Sequence, residues 1–235
     1  MVTDFHNHIL PKIDDGSRSV EESIAMLQMM VQQGVQTVIA TPHFYPQDTT
    51  PDRFLEKREA AMDRLLEQLT QNDNYPEIRL GAEVFYYDQM SHSEELRKLT
   101  IEGINAILIE MPMGQWTDRM YQELENIQKN LSLTPIVAHV DRYLGRFRDY
   151  GIPQRLSELP VLVQANAEFV LKHTGKALRM LQGQQIQLLG SDCHNLTDRK
   201  PNLGEAVELI RKKLGNDVIE LIQSTERMLF EESKD

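Results

Sequence analysis

The sequence has little of the features that direct a chain to a membrane or to an oxidising compartment. Its 235 residues include one cysteine, Cys193, so an intrachain disulfide is excluded. The longest apolar runs, such as residues 106–109, end after a few residues. The first residues contain no basic stretch followed by an apolar one, which a signal peptide would need. We therefore predict a cytoplasmic protein without membrane insertion.

Positive charge is also scarce. The chain has 25 Lys and Arg against 36 Asp and Glu, a formal net charge of -11, and no basic run, so nucleic acid is not an expected partner. An anionic substrate is still compatible, because bound divalent cations can dominate a local field. The hydrophobic share of 40% predicts a single globular domain over residues 1–235. A domain of this size folds without a structural metal, so any metal is expected to serve chemistry.

Seven short strand patterns alternate with helical patterns along the chain. The strands are predicted at residues 2–5, 37–40, 78–84, 106–110, 134–139, 161–165 and 186–190. Helices are predicted after Ser19, from Thr50-Pro51 to about residues 72–74, and over residues 94–99, 118–129, 169–181 and 203–214. Apolar strands separated by helices indicate parallel pairing, in either an open doubly wound sheet or a barrel.

Residues that bind metals follow these strands. Five of the seven histidines and three carboxylates lie at or just past strand ends: His6, His8, His43, His139, His194, Glu83, Glu110 and Asp192. In a parallel barrel such ends share one face, so six of the seven strands would bring these residues to one mouth. Any one of them could instead form a buried ion pair or hydrogen-bonded pair, but their joint placement favours a metal site and a barrel. His92 and His173 lie on helical stretches and are interpreted as structural or surface residues.

Motifs covering nearly the whole chain resemble one known family. They are Asp-Phe-His-Asn-His, Asp-Asp-Gly, Ala-Thr-Pro-His, Gly-Ala-Glu-Val, Leu-Ile-Glu-Met-Pro, Ala-His-Val-Asp-Arg-Tyr and Ser-Asp-Cys-His-Asn. In this order they resemble the polymerase and histidinol phosphatase (PHP) superfamily, and within it the bacterial manganese-dependent tyrosine phosphatases of capsule and exopolysaccharide operons. The resemblance implies a distorted (β/α)7 barrel, with parallel strands and outer helices, and a centre of three metal ions.

The resemblance also implies a role for particular residues. The three metal positions would be held by His6, His8, Glu83 and Asp192, by Glu83, Glu110 and His139, and by Asp14, His43 and His194. Arg142 and Arg199 would bind the substrate phosphate. The chain departs from the usual motifs at Val140-Asp141 and at Cys193, which flank these residues and replace none of them.

The donor set agrees with this assignment. Imidazoles and carboxylates without thiolate suit manganese, iron or zinc, and the resemblance favours Mn2+. A metal-bound water that loses its proton could attack phosphorus in line, while the arginines neutralise phosphate oxygens. The expected activity is that of a metal-dependent phosphoric monoester hydrolase, a protein-tyrosine phosphatase. The expected partner is a phosphotyrosine protein, most simply a bacterial tyrosine kinase of polysaccharide synthesis.

Several alternatives remain open at the level of sequence. Cys193 and Arg199 have the Cys-x5-Arg spacing of thiol phosphatases, although the loop between them contains no glycine. A general phosphoesterase resembling histidinol phosphatase, a metal amidohydrolase and a non-enzymatic partner of a kinase are the others. Phe44, Tyr45 and Tyr143 could pack against a substrate ring, or simply belong to the core. The physiological substrate and the oligomeric state are not predicted.

Overall fold

The computed structural model describes residues 2–69, 74–144 and 151–231. Its strands are β1 (Thr3–Asn7), β2 (Thr37–Ala40), β3 (His43–Phe44), β4 (Glu77–Leu80), β5 (Glu83–Phe85), β6 (Ala106–Glu110), β7 (Thr134–Val137), β8 (Leu162–Asn166) and β9 (Leu188–Gly190). Its α-helices are α1 (Val20–Gln32), α2 (Pro51–Leu66), α3 (Asp118–Leu131), α4 (Ile152–Leu156), α5 (Ala167–Lys172), α6 (Thr174–Gln182), α7 (Leu203–Leu214) and α8 (Asn216–Glu231). None of these helices is both long and apolar enough to cross a membrane.

The strands pair in parallel in two sheets, ordered β1-β2-β4 and β3-β5-β6-β7-β8-β9. β2 and β3 follow each other along one longer strand, and β4 and β5 along another. The nine strands therefore occupy seven strand positions. The two sheets also meet between β1 and the segment that follows β9. There Asn7 pairs in parallel with Cys193, and the Asp192 amide donates to the His6 carbonyl over 2.7 Å. The strands therefore curl into the predicted distorted barrel, with the helices outside.

A small apolar cluster fills the space that the strands enclose. It joins side chains of β1, β2, β6, β7 and β9, among them Phe5, Leu108 and Leu188. Leu229 and Phe230 of α8 pack against it, although α8 was not among the predicted helices. Burying each large apolar side chain contributes about 1.5–3 kcal/mol, so α8 helps to hold the barrel closed.

An irregularity in β1 positions the first histidines. Asp4 lies opposite Val38 and Asn7 opposite Ala40, so three steps along β1 match two along β2. Such a bulge re-aims side chains. As a result the consecutive residues Phe5 and His6 both face inward: Phe5 joins the enclosed apolar cluster, and His6 contacts the polar groups at the mouth.

The helix predictions hold with three differences. Ser19 and Thr50 cap α1 and α2, since their side chains accept backbone N–H groups three residues on. Residues 94–99 form a 3₁₀ helix instead of an α-helix. The α2 helix ends at Leu66, and residues 72–73, near its predicted end, lie outside the described residues.

The predicted helix over residues 169–181 is in fact two helices. His173, with φ of -122° and ψ of 40°, separates α5 from α6. The Thr174 hydroxyl donates to the Val170 carbonyl over 2.8 Å, a side-chain bond that replaces the regular helical pattern at this point.

Candidate metal centre

Eight of the nine metal ligands predicted from the sequence come together at the carboxyl ends of the strands. They are His6, His8, His43, Glu83, Glu110, His139, Asp192 and His194. Most of these side chains are buried, and those of His43 and Glu110 are partly exposed at 14% and 16%. The ninth, Asp14, contacts one of these residues, His8.

The first group surrounds a single point. His6 Nε2 and His8 Nε2 are 3.2 Å apart, and each lies 3.2–3.3 Å from Glu83 Oε2 and 3.5 Å from Asp192 Oδ1. The ligand atoms of His6, His8 and Glu83 all lie within 4.8 Å of one another, so these three residues can hold one ion. Asp192 Oδ1 lies beside the same two imidazole nitrogens.

Glu83 faces a second group with its other oxygen. Glu83 Oε1 is 2.8 Å from His139 Nε2, which is in turn 3.6 Å from Glu110 Oε1. Glu83 Oε2 meanwhile lies 2.9 Å from His43 Nδ1. The carboxylate of Glu83 is only 1% exposed and stands between the groups, in the position of a bridging ligand.

Asp15, not Asp14, faces the third group. Asp15 Oδ1 lies 3.4 Å from His43 Nε2 and 3.3 Å from His194 Nε2. Asp14 instead accepts hydrogen bonds from His8 Nδ1, at 2.7 Å, and from the Gly16 and His43 amides. Burial alone would raise the pKa of Asp14, but its hydrogen bond and charge interaction with His8 lower it to about 2. Asp14 Oδ2 thus orients His8, an arrangement common behind metal-bound histidines, while Asp14 Oδ1 accepts the Gly16 amide. The carboxylate that faces the third group is Asp15, where the sequence predicted Asp14.

Two glycines allow the chain to pack this tightly. A Cβ on Gly16 would meet the His8 carbonyl oxygen at 2.3 Å, and one on Gly190 would meet His6 Cβ at 2.6 Å. Both contacts are shorter than any side chain tolerates. Gly16 thus lets the Asp14-Asp15 turn fold over His8, and Gly190 lets β9 approach β1.

Opposite charges keep the cluster ionised despite burial. Burial alone would raise the pKa of Glu83 and Asp192, but nearby His6 holds both well below their usual range. Burial would likewise lower the pKa of His6, yet Glu83 and Asp192 raise it. His194 differs, because burial and the proximity of His8 lower its pKa to about 4.

Several buried polar atoms at the mouth make no hydrogen bond within the described part of the chain. They are Glu83 Oε2, His43 Nδ1, His139 Nδ1 and His194 Nε2. Glu83 Oε2 and His43 Nδ1 lie 2.9 Å apart, and His194 Nε2 lies 3.3 Å from Asp15 Oδ1, in each case without the geometry of a hydrogen bond. Donor atoms this close that do not hydrogen-bond to one another fit the binding of divalent metal ions.

Both predicted phosphate-binding arginines lie at the rim of this cluster. Arg142 contacts Asp192 Oδ2 over 2.5 Å and Glu110 Oε1 over 3.5 Å, and Arg199 contacts Asp192 Oδ1 over 2.6 Å. Their side chains are 33% and 36% exposed, and they line one cavity of about 210 Å³. The guanidinium groups therefore face both the ligands and solvent.

Of the other candidates from the sequence, Cys193, Phe44 and Tyr143 are buried, and Tyr45 is partly exposed. The Cys193 side chain is fully buried, and burial raises the pKa of its thiol well above the usual value, which disfavours a nucleophilic thiolate. Phe44 and Tyr143 belong to the core. Tyr45 is partly exposed and stacks on His43 with ring centroids 5.2 Å apart.

Sequence reasoning missed the polar residues of β8, the strand that supplies no ligand. Gln164 is fully buried, and its amide contacts His6 and the backbone of His139. Asn166 contacts Asp192. The available signal was a pair of amides at alternate positions of an apolar strand, which place both side chains on one face.

A parallel α/β barrel with imidazoles and carboxylates clustered at the carboxyl ends of its strands defines the class as an α/β-barrel protein with groups able to bind metal. The chain belongs to the CpsB/CapC family of capsular polysaccharide synthesis, which matches residues 2–229.

Relatives in this family are described as tyrosine-protein phosphatases. The chain is 29% identical over 229 residues to tyrosine-protein phosphatase CpsB of Streptococcus pneumoniae, covering 90% of each chain. It is 28% identical over 236 residues to tyrosine-protein phosphatase YwqE of Bacillus subtilis, covering 97% of this chain and 91% of the relative.

Solved structures support the fold. A structure from the work on YwqE of Bacillus subtilis and CpsB of Streptococcus pneumoniae, described as unique metal-dependent tyrosine phosphatases, matches with a TM-score of 0.82 and 23% identity. The match covers 97% of this chain and 94% of the other. An organophosphorus hydrolase variant matches with a TM-score of 0.52 at 10% identity, covering 97% and 92%, and shares the general fold alone.

Proposed function

We propose that this protein is a metal-dependent protein-tyrosine phosphatase. The observation that carries the proposal is the position of Glu83 between groups of metal-type ligands, with Arg142 and Arg199 across the same mouth. Membership of the CpsB/CapC family, whose relatives are described as tyrosine-protein phosphatases, supports the same activity.

We propose three metal positions. His6, His8, Glu83 and Asp192 would hold the first ion, Glu83, Glu110 and His139 the second, and Asp15, His43 and His194 the third. Imidazole and carboxylate donors suit Mn2+, which we propose as the metal, and also iron or zinc. When bound, such ions supply Lewis-acid chemistry, acidifying water and neutralising phosphate oxygens.

The protein's own residues bind and orient the phosphate. A guanidinium group offers paired N–H donors that match two phosphate oxygens, and two of them can hold a dianion in one orientation. Arg142 and Arg199 both contact Asp192, so ligation of a metal by Asp192 would leave their outward N–H groups for substrate. The partly exposed ring of Tyr45 stands beside His43 and can line the approach of a phenyl group.

The family context suggests the substrate. Because the family is one of capsular polysaccharide synthesis, we propose as partner a phosphorylated bacterial tyrosine kinase of polysaccharide synthesis. A cytoplasmic location agrees with the single, fully buried cysteine. The dephosphorylation of such a kinase, followed with an antibody to phosphotyrosine, tests the partner separately from the chemistry.

The decisive experiment couples metal analysis with hydrolysis of a phosphotyrosine peptide. The purified protein should contain divalent metal, lose activity with a strong chelator and regain it with Mn2+. A phosphoserine peptide and histidinol phosphate serve as comparison substrates, and both should be cleaved more slowly. Chelator-resistant turnover would overturn the proposal, and faster release from histidinol phosphate or phosphoserine would favour a general phosphoesterase.

A further inference from the structure

Strand β8 stands out because it enters the mouth of the barrel without supplying a metal ligand. Its two inward side chains, Gln164 and Asn166, are amides, 0% and 8% exposed. A buried amide is retained only where its hydrogen bonds are satisfied, so the partners of these two side chains indicate their role.

The orientation of the Gln164 amide is determined by its partners. The backbone N–H of His139 can only donate, and it lies 2.6 Å from Gln164 Oε1, so this atom is the carbonyl oxygen. Gln164 Nε2 then donates to Asn166 Oδ1 over 3.2 Å. Asn166 Nδ2 in turn donates to the Asp192 carboxylate over 2.9 Å. Each group in this chain of hydrogen bonds is therefore assigned as either a donor or an acceptor.

The same carbonyl oxygen sets the hydrogen position on His6. His6 Nδ1 lies 3.3 Å from Gln164 Oε1, and a nitrogen facing an oxygen acceptor can bond to it only if the nitrogen carries the hydrogen. In the neutral ring that binds a metal, this leaves the lone pair on His6 Nε2, which faces His8, Glu83 and Asp192. Metal-binding histidines commonly have their other ring nitrogen held in this way.

The contact with His139 has a second consequence. His139 has the left-handed backbone angles φ 32° and ψ 58°, which are strained for a side chain of this type. The bond from its N–H to Gln164 holds this residue while His139 Nε2 points to Glu83. Gln164 and Asn166 together thus contact three proposed ligands, which belong to two metal positions.

We propose that Gln164 is a positioning residue of the metal centre, with Asn166 as its link to Asp192. The inference rests on the proposed metal-dependent function and extends it to a strand without ligands. Outer partners of metal ligands typically change metal affinity about 10–100-fold when lost. Removal of the Gln164 amide should therefore lower metal affinity while the apolar packing of β8 persists.

The test measures Mn2+ binding to metal-free protein by competition with a fluorescent chelator, together with the electron paramagnetic resonance spectrum of bound Mn2+. Gln164→Met keeps the shape of the side chain and removes the hydrogen bonds, and it should weaken binding about 10–100-fold and alter the spectrum. Gln164→Glu keeps the oxygen acceptors for His6 and His139, and it should bind Mn2+ more tightly than Gln164→Met.

A matched control lies just before β9, where Gln187 contacts the amino end of β8. Gln187 accepts the backbone N–H of Val163 over 2.9 Å, as Gln164 accepts that of His139, but far from the ligands. Gln187→Met should leave Mn2+ affinity unchanged. Asn166→Ala provides a second reading if Gln164→Met fails to fold, with an expected loss of affinity up to about tenfold.

Two results would overturn the inference. The first is Mn2+ affinity in Gln164→Met and Asn166→Ala within twofold of the original protein. The second is weaker binding by Gln164→Glu than by Gln164→Met, because a purely structural role would penalise the buried charge most. If the original protein itself fails to bind Mn2+, it is the proposed function that fails, so the two failures are distinguishable.

Discussion

At the mouth of the barrel, Glu83 and Asp192 are buried beside imidazoles, whereas near the start of β1, Glu226 of α8 is buried beside apolar side chains. All three carboxyl groups are 1–3% exposed. The charge interaction with His6 holds the pKa of Glu83 and Asp192 well below the usual range against the effect of burial. Burial raises the pKa of Glu226 to about 7. Equal burial therefore accompanies pKa shifts in opposite directions, and the neighbouring groups decide the direction.

The difference separates stability from chemistry. The mouth concentrates ionised groups and unpartnered polar atoms, which are costly to bury without a compensating ion. The enclosed apolar cluster, with Leu229 and Phe230 packed against it, provides stabilising burial behind the mouth. Substitutions at the mouth should thus act on metal content and turnover, and substitutions around Glu226 on the free energy of unfolding.

The largest effect is expected from Glu83→Ala, which removes the carboxylate at the centre of the mouth. Because Glu83 contacts ligands of more than one proposed ion, the variant should lose more than one metal ion per chain. Turnover of a phosphotyrosine peptide should fall by at least about 10³-fold, equivalent to about 4 kcal/mol. Metal analysis and initial rates measure both quantities. Glu226→Gln is the control at the other site and should keep full metal content; near-normal activity of Glu83→Ala would refute the bridging role.

The next effect concerns the arginines, which contact the ligand cluster without being able to bind a cation. Arg142→Ala and Arg199→Ala should each reduce kcat/KM about 10²-fold, the typical loss when one donor to a charged transition state is removed. Metal content should stay unchanged. Arg97→Ala, an exposed arginine paired with Glu94, is the control. Unchanged kinetics in both variants would make these residues ordinary surface arginines.

Glu226→Gln should change how the free energy of unfolding depends on pH. The raised pKa of Glu226 means that the folded state keeps a proton which the unfolded state releases above its ordinary pKa of 4.5. The contribution of this proton to the free energy of unfolding is fully present below pH 4.5 and is lost as the pH rises to about 7. The free energy of unfolding should fall by about 3 kcal/mol over this range. The variant should match the original protein near pH 4.5 and exceed it in stability at pH 8.

Urea unfolding of both proteins at the two pH values measures this difference. Glu220→Gln, at an exposed position on the same helix, keeps Glu226 and should therefore keep the pH dependence of the original protein. A stability difference between Glu226→Gln and the original protein that is the same at both pH values would show that Glu226 does not titrate with the raised pKa.

The smallest effect is expected from Cys193→Ser, which lies between two mouth residues but is itself fully buried. If the metal centre performs the chemistry, the variant should keep turnover within about threefold, since its side chain makes no contact with substrate. A buried hydroxyl in place of the thiol should cost about 1–3 kcal/mol of stability. An inactive variant together with a chelator-resistant original protein would establish the thiolate mechanism instead.

Much of the fold could be predicted from local patterns. Apolar strand runs separated by helices predicted all seven strand positions, and Ser19 and Thr50 marked helix starts correctly. The α8 helix was missed although Ile219, Ile222 and Leu229 recur at helical spacing, because Glu226 interrupts that apolar stripe. Parallel strands in turn bring their carboxyl ends together, so the clustering of the candidate metal-binding side chains followed from the strand assignments.

The tertiary structure alone decided how neighbouring residues divide their roles. Asp14 and Asp15 are chemically identical and adjacent in sequence, and only the fold over Gly16 directs one to His8 and the other to His43 and His194. The bulge that turns both Phe5 and His6 inward, and the amides of β8, likewise depend on pairing between distant strands. Sequence periodicity determines which face a side chain is on; which partner it finds there depends on the register and close approach of segments far apart in the chain.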